Sequence, residues 1–183
     1  KLNLSSQERY VVLRLVSWDA SHDIGQKGFK MDILVKLIDE IKKHARVFIS
    51  AENKIPKIFK KYQLSINPTE IHDILSFAEL FIGEGATMAS ECAIMGTPSI
   101  YINTLSAGTL EDQQQRGTLY IFKSPNGLIE KTKEILTNPK VKKETKQKSI
   151  DLFKNKIDVN NFFYWIVSEY PKCINDYKNN SSI

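Results

Sequence analysis

The chain has 183 residues, of which 42% are hydrophobic and 26% are charged. These proportions are ordinary for a globular protein with one domain, or with one domain and a helical tail. The sequence contains no stretch of about 18 apolar residues, so it predicts no membrane-spanning helix.

The net charge of +5 raises the question of nucleic-acid binding. Much of the excess comes from lysines between residues 140 and 156, and no aromatic platform is interleaved with them. A lysine-rich helix face of this kind is usually solvated. We therefore do not predict nucleic-acid binding, and contact with an anionic membrane surface is the alternative that remains open.

The cysteines and histidines give no sign of a metal site. Cys92 belongs to an apolar helical segment and Cys173 lies near the end of the chain, far from it. This usage is typical of reduced thiols in a cytoplasmic protein. Because the three histidines are scattered as well, we predict neither a metal site nor a cofactor.

The first predicted strand covers residues 10–16, where β-branched and apolar residues follow one another as in a buried parallel strand. A polar loop over residues 17–25 comes next. Apolar residues at helical spacing then predict a helix over about 30–43. Residues 46–51 form the second predicted strand, and a short helix over 55–62 follows it.

From residue 64 onward, predicted strands and helices continue to alternate. They are a very short strand at 64–66, a helix from 69 or 70 to 78, a strand at 80–83, a helix at 87–95, a strand at 99–103, a short helix at 110–115, a strand at 118–122, a helix at 125–137, and further helices at about 140–156 and 158–168. The alternation predicts an α/β fold with a doubly wound, Rossmann-like parallel sheet of about six strands. We expect residues 8–137 to form this domain and residues 138–183 to add C-terminal helices, which would pack either on it or on a second domain.

The stretch from Leu80 to Glu91 consists of an apolar run, two glycines and a small-residue helix. Gly83 and Gly85 are free to take positive φ and, without a Cβ, let a ligand approach the backbone. The first amides of the helix favour an anion. Thr87 and Glu91 project from one helix face, where a carboxylate suits a vicinal diol. The pattern predicts a nucleotide or nucleotide-sugar site, although a glycine turn also occurs for purely structural reasons.

Other polar residues follow predicted strands at the points where those strands end. Ser21, His22 and Asp23 come after the first strand, Glu84 belongs to the glycine turn, and Asn103 ends another strand. Ligands of doubly wound sheets bind beyond the carboxyl ends of the strands. We therefore predict a ligand-binding cleft at this edge, with His22 beside Asp23 as a candidate catalytic acid/base group.

Part of this chain resembles the donor-binding signature in the C-terminal half of GT-B glycosyltransferases. The resemblance rests on Gly85-Ala86-Thr87-Met88-Ala89-Ser90-Glu91, followed by Gly96-Thr97-Pro98. The same run is similar to that of the N-acetylglucosaminyltransferase that completes lipid II and of non-hydrolysing UDP-N-acetylglucosamine 2-epimerases. Together with residues 20–25 and 71–75, it looks like a family of uncharacterised GT-B-like proteins from prokaryotic surface-polysaccharide gene clusters. The resemblance covers about residues 8–137.

The resemblance implies that this half of a two-domain fold holds a UDP-sugar or UDP. Glu91 would bind the ribose hydroxyls, donors from Gly85, Ala86 and Thr87 would bind the diphosphate, and Thr69–His72 would meet the uracil edge. Gln114 is a weaker candidate, because its surroundings only distantly resemble a D-x-Q-Q stretch that contacts the donor sugar. The predicted ligand-binding residues are Ser21, His22, Asp23, Ile71, His72, Gly83, Glu84, Gly85, Ala86, Thr87, Met88 and Glu91, with Asn103 and Gln114 as the weaker members.

The resemblance also implies a parent glycosyltransferase of surface polysaccharide synthesis. Its N-terminal acceptor domain, with the usual catalytic base, would be missing from this chain, so we expect the chain alone to be inactive. Two alternatives remain open. One is half of a UDP-N-acetylglucosamine 2-epimerase, for which we identify no extra acid/base carboxylates, and the other is a non-catalytic binding module of flavodoxin-like fold.

Overall fold

The computed structural model of the protein describes residues 2, 4, 5, 7–16, 30–105, 108–154 and 156–179. The chain divides into two compact units, Lys1–Ile150 and Asp151–Ile183. Among the described residues, no helix has the length and apolar character needed to cross a bilayer.

The first unit is built on a parallel sheet of five strands. In chain order these are β1 (Tyr10–Leu15), β2 (Arg46–Ala51), β3 (Leu80–Gly83), β4 (Ser99–Ile102) and β5 (Leu119–Phe122). Their order across the sheet is β2-β1-β3-β4-β5. This arrangement confirms the predicted doubly wound, Rossmann-like α/β fold.

In the part of the chain that the structure describes, six α-helices follow or connect these strands. They are α1 (Met31–Ile41), α2 (Ile71–Phe77), α3 (Ala86–Met95), α4 (Gly108–Gln115), α5 (Leu128–Thr137) and α6 (Val141–Phe153), the last of which begins in the first unit and ends in the second. Two short 3₁₀ helices, Lys57–Tyr62 and Pro68–Glu70, lie between β2 and α2.

Both faces of the sheet are buried, which explains why β1 has no polar alternation. Val11 and Leu13 pack in one core cluster with α1 and α5, whereas Tyr10 and Val12 pack in a second cluster with α2, α3 and α4. Successive side chains of a strand point to opposite faces, so a strand covered on both sides must be apolar throughout. Cys92 is fully buried in the second cluster, and this burial raises the pKa of its thiol.

The predicted short strand at residues 64–66 is reduced to a single bridge. Gln63 pairs with Ile49 of β2, and the Leu64 amide donates to the Ile49 carbonyl at 2.8 Å. A few residues later, the Asn67 side chain accepts from the Thr69 amide and starts the second 3₁₀ helix. The chain therefore turns away before a ladder extends, and the sheet has five strands, close to the predicted number of about six.

Helix α6 binds the C-terminal ends of two neighbouring helices at the amino edge of the sheet. Lys142 Nζ donates to the carbonyl of Phe77, the last residue of α2, at 2.9 Å, and Lys146 Nζ donates to the carbonyl of Met95, the last residue of α3, at 2.8 Å. The last carbonyls of a helix lack intrahelical donors and carry partial negative charge, so they favour ammonium groups. Part of the late lysine cluster therefore has a structural role within the first unit.

The second unit contains a pair of helices, α7 (Val159–Ser168) and α8 (Lys172–Asn179). Asp158 caps α7 by accepting from the amides of Asn160 and Asn161 at 3.0 and 3.2 Å. Aromatic contacts within the unit include Phe162 with Tyr177 at 6.1 Å between ring centroids. A groove of about 410 Å³ lies between these two helices and has apolar walls.

Gly96, which ends α3, is predicted to be essential for stability. Its φ is +82°, and a Cβ built there would lie 2.8 Å from Cα of Lys146, so Gly96→Ala adds both left-handed strain and a backbone clash. We expect the free energy of unfolding, measured by urea titration, to fall by about 2–4 kcal/mol. Gly108→Ala is the matched control, because no atom lies within 4 Å of the Cβ position there. An equal effect of the two substitutions would contradict this account of the α3 end.

Candidate functional site

The candidate site lies at the carboxyl edge of the sheet, where β1 and β3 are neighbours. Helix α1, which follows β1 in the chain, packs on one face of the sheet and α3, which follows β3, on the other, so the strand order reverses between β1 and β3. A crevice at such a reversal of strand order is the usual ligand site of a doubly wound sheet. Here a hollow of about 240 Å³ is lined by Arg14, Val16, Glu52, Gly85, Ala86, Thr87, Met88 and Glu91.

Close packing explains Gly83 in the β3–α3 turn, whereas neither crowding nor a positive φ requires a glycine at position 85. A Cβ on Gly83 would lie 2.8 Å from Cε1 of Phe81 and 3.1 Å from Cβ of Arg14. Gly85 is the N-cap of α3, with an extended backbone at φ −90° and ψ 125°. The positive φ that either glycine is free to take is therefore not used, because β3 continues as an extended chain directly into the helix cap.

Glu84, between the two glycines, is turned into the protein. It is 5% exposed, and its Oε2 accepts from the Val16 amide at 3.2 Å. The carbonyl of Glu84 accepts from Nδ2 of the buried Asn103 at 3.1 Å. Val16 follows β1 and Asn103 follows β4, and these are the two strands beside β3. The two hydrogen bonds therefore connect the β3–α3 turn to the segments after both neighbouring strands.

The first turn of α3 presents Ala86, Thr87 and Met88 to the hollow. Thr87 is exposed, whereas Ala86 and Met88 are partly buried against the second core cluster. The amides of a first helical turn have no acceptor within the helix, and the helix dipole is positive at this end. The sequence-predicted donors therefore face an open space that suits an anion.

Arg14 also lines the hollow, although it was not among the residues predicted from the sequence. Its guanidinium donates to Oγ of Ser50 at 2.7 Å and to Oε1 of Glu52 at 2.8 Å. The side chain is 20% exposed, so the cation is held in a defined position beside the first turn of α3. A charged residue near the carboxyl end of an otherwise apolar strand was the signal available in the sequence.

Glu91 and His72 come together at the margin of the hollow. Nε2 of His72 lies 3.2 Å from Oε2 of Glu91, and the two side chains are 59% and 39% exposed. Glu91 lines the hollow one turn after Thr87 on α3. Ile71 and His72 open α2, and Ile71 is partly buried against the second core cluster.

The two weaker candidates, Gln114 and Asn103, do not line the hollow. Oε1 of Gln114 accepts from the Ile121 amide of the edge strand β5 at 2.8 Å, and Gln114 does not line the hollow. Gln113 is buried and donates to Oγ of Ser90 at 2.8 Å. Asn103 supports the turn through its bond to the Glu84 carbonyl.

Three predicted site residues, Ser21, His22 and Asp23, lie outside the described residues. Within the part of the chain that the structure describes, no group of three or more His, Cys, Asp and Glu side chains is arranged to hold a metal ion.

Solved structures share this fold at low sequence identity. The wall teichoic acid polymerase TagF, as a variant, matches 86% of this chain with a TM-score of 0.53 and 15% identity. UDP-GlcNAc 2-epimerase from Neisseria meningitidis bound to UDP-GlcNAc matches 82% with a TM-score of 0.56 and 10% identity. The glycotransferase of kitacinnamycin matches 81% with a TM-score of 0.53 and 12% identity.

This chain spans 41% of the TagF chain, 44% of the epimerase chain and 40% of the kitacinnamycin enzyme chain. At these identities the likeness shows the fold alone, which is that of one half of a GT-B-like protein. None of the curated protein sequences compared with this chain gives a significant match. Residues 1–152 match the model of the family described as Protein of unknown function (DUF354), and the chain therefore belongs to that family.

Proposed function

We propose that this chain is the nucleotide-sugar-binding half of a GT-B-like glycosyltransferase and that its ligand is a UDP-sugar. The observation that carries the proposal is the lining of one hollow at the carboxyl edge of the sheet. There, Arg14 and the first turn of α3 suit phosphate, while Glu91 suits a pair of hydroxyl groups.

The diphosphate is proposed to lie between Arg14 and the first turn of α3. The amides of Ala86 and Thr87 would donate to one phosphate, and the guanidinium of Arg14 would pair with phosphate oxygens in place of Glu52. Glu52 is 42% exposed in its side chain, so it is able to turn into solvent when a phosphate displaces it. Fixed donors of this kind stabilise the charge that develops on a departing diphosphate.

The ribose and the base are proposed to extend along α3 toward the start of α2. The Glu91 carboxylate would accept from the ribose hydroxyls, and Ile71 and His72 lie beyond it, where the uracil edge is expected. We propose that Ser21, His22 and Asp23, which follow β1 in the sequence, also contribute contacts to the ligand. UDP-GlcNAc 2-epimerase from Neisseria meningitidis, which shares this fold, was solved bound to UDP-GlcNAc, and this supports a nucleotide sugar as the ligand.

A second, facing domain is proposed to complete the cleft. Small-ligand pockets usually enclose about 300–1,000 Å³, and the hollow of about 240 Å³ covers only part of a nucleotide sugar. The greater length of the TagF and epimerase chains also supports a partner domain. We propose residues 8–137 as the nucleotide-sugar-binding domain, residues 138–183 as C-terminal helices that pack on it or on the facing domain, and a cytoplasmic role in surface polysaccharide synthesis.

Glu91→Ala tests the ribose assignment. Loss of a charged hydrogen-bond acceptor should weaken UDP binding, measured by calorimetry, by about 1.5–3 kcal/mol. The thermal midpoint should change little, because the side chain is 39% exposed. Glu130→Ala is the control, since Glu130 is exposed on α5 and does not line the hollow. Unchanged UDP affinity in Glu91→Ala would refute the ribose assignment.

Gly85→Val tests whether the ligand approaches the backbone at the cap of α3. An extended φ of −90° suits valine, and the added Cβ would make an ordinary contact of 3.4 Å with Cγ1 of Val16. The variant should therefore unfold at nearly the wild-type urea concentration. Its branched side chain should nevertheless occupy the hollow and remove detectable UDP binding. Normal UDP affinity in a folded variant would exclude this turn from the site.

The chain alone is predicted to bind UDP without catalysing a reaction. With only half of the cleft present, nothing positions the acceptor beside the donor sugar. The reaction therefore loses the several kcal/mol that orientation contributes to catalysis. We expect a dissociation constant on the order of 0.1–1 mM for UDP. Incubation with radiolabelled UDP-sugars should show neither hydrolysis nor 2-epimerisation above the buffer blank. Turnover that disappears in His22→Ala would instead make the chain an enzyme by itself, and epimerised product would favour the 2-epimerase alternative.

A further inference from the structure

We infer that His72 is a positioning residue for Glu91 and that the pair makes the site prefer ribonucleotides to 2′-deoxyribonucleotides. This inference rests on the proposed function of the hollow. It assigns His72 to the ribose end of the site through the Glu91 carboxylate, and it differs from the base contact that the resemblance implies.

The two side chains are held by helices whose separation is fixed. His72 lies in the first turn of α2, and Glu91 lies in the middle of α3. Leu75 of α2 and Cys92 of α3 are both fully buried in the second core cluster. Oγ1 of Thr97, just after α3, also donates to the Leu75 carbonyl at 2.8 Å. The distance of 3.2 Å between Nε2 and Oε2 is therefore supported by packing as well as by the pair itself.

The geometry assigns different tasks to the two carboxylate oxygens of Glu91. Oε2 accepts from His72 whenever Nε2 carries a proton, which leaves Oε1 for a ligand in the hollow. The same Nε2–H group is then unavailable to a nucleobase. His72 itself is not part of the hollow's lining, so its effect on a ligand there has to pass through Glu91.

Glu91 needs such a partner because its side chain is long and partly exposed. A glutamate that is free to rotate loses rotamer entropy when it binds a ligand. A side chain that is already held in the bound rotamer loses less, and the difference appears as affinity. A vicinal diol gains most from this, because it needs both hydroxyl groups to meet one fixed carboxylate. Removal of the 2′-hydroxyl should therefore remove the benefit of His72.

The test compares UDP with 2′-deoxy-UDP as probes by calorimetry on the full chain. In His72→Ala, affinity for UDP should fall by about threefold to tenfold, which is the change in dissociation constant that corresponds to the free energy of a typical hydrogen bond. Affinity for 2′-deoxy-UDP should stay at the wild-type value. His72→Gln should keep the preference for UDP, because its side-chain amide offers an N–H near the position of Nε2.

His44→Ala is the matched control. Nε2 of His44 also lies 3.2 Å from a glutamate oxygen, Oε1 of Glu40, but this pair belongs to α1 and the turn after it. The control removes a histidine–glutamate pair with the same nitrogen–oxygen distance and should leave the affinities for UDP and 2′-deoxy-UDP unchanged. Thermal unfolding of each variant shows that the affinities refer to folded protein.

The outcomes separate this inference from the proposed function. Equal weakening of UDP and 2′-deoxy-UDP in His72→Ala would overturn the inference and favour a direct contact with the base or phosphate. Binding that is weakened by Glu91→Ala but unchanged in His72→Ala would also overturn it, while leaving the proposed function intact. If the unsubstituted chain fails to bind UDP, the proposed function fails and the inference fails with it.

Discussion

The hydrogen bonds of the β3–α3 turn are the constraint on which the candidate site depends. Glu84 Oε2 accepts from Val16 after β1, and the Glu84 carbonyl accepts from Asn103 after β4. A buried carboxylate is costly unless such partners are present, so the turn has one favourable orientation. That orientation sets the direction of α3 and hence the positions of its first amides and of Glu91. Without it, Arg14 and the start of α3 would not face the same space.

The two edges of the sheet have different roles. At the amino edge, Lys142 and Lys146 of α6 bind carbonyls at the ends of α2 and α3, and Ser149 binds the Ile94 carbonyl there. At the carboxyl edge, the helices begin, and their amides are directed toward a potential ligand. Part of the lysine excess therefore binds helix ends at the amino edge of the sheet, opposite the hollow.

The sequence predicted the fold because β–α alternation and strand hydrophobicity are local signals. It did not predict the role of Arg14, since the partner Glu52 is 38 residues away and comes beside it only through β1–β2 pairing. The sequence also left the backbone conformation of Gly85 open, because a glycine at a turn does not reveal whether its φ is positive. Likewise, nothing local placed His72 against Glu91, whose contact depends on how α2 packs on α3.

The charges around the hollow give a physical reason for a second domain under the proposed function. Of the described residues that line it, Arg14 is the cation, whereas Glu52 and Glu91 are carboxylates. A nucleoside diphosphate therefore approaches a wall that is not strongly positive, and oriented amides must supply much of the attraction. The Arg14–Glu52 pair is partly exposed, with side chains 20% and 42% accessible, so its rupture by a phosphate costs little. A facing domain that carried further cations would strengthen binding as the cleft closes, and the same closure would bring the acceptor to the donor sugar.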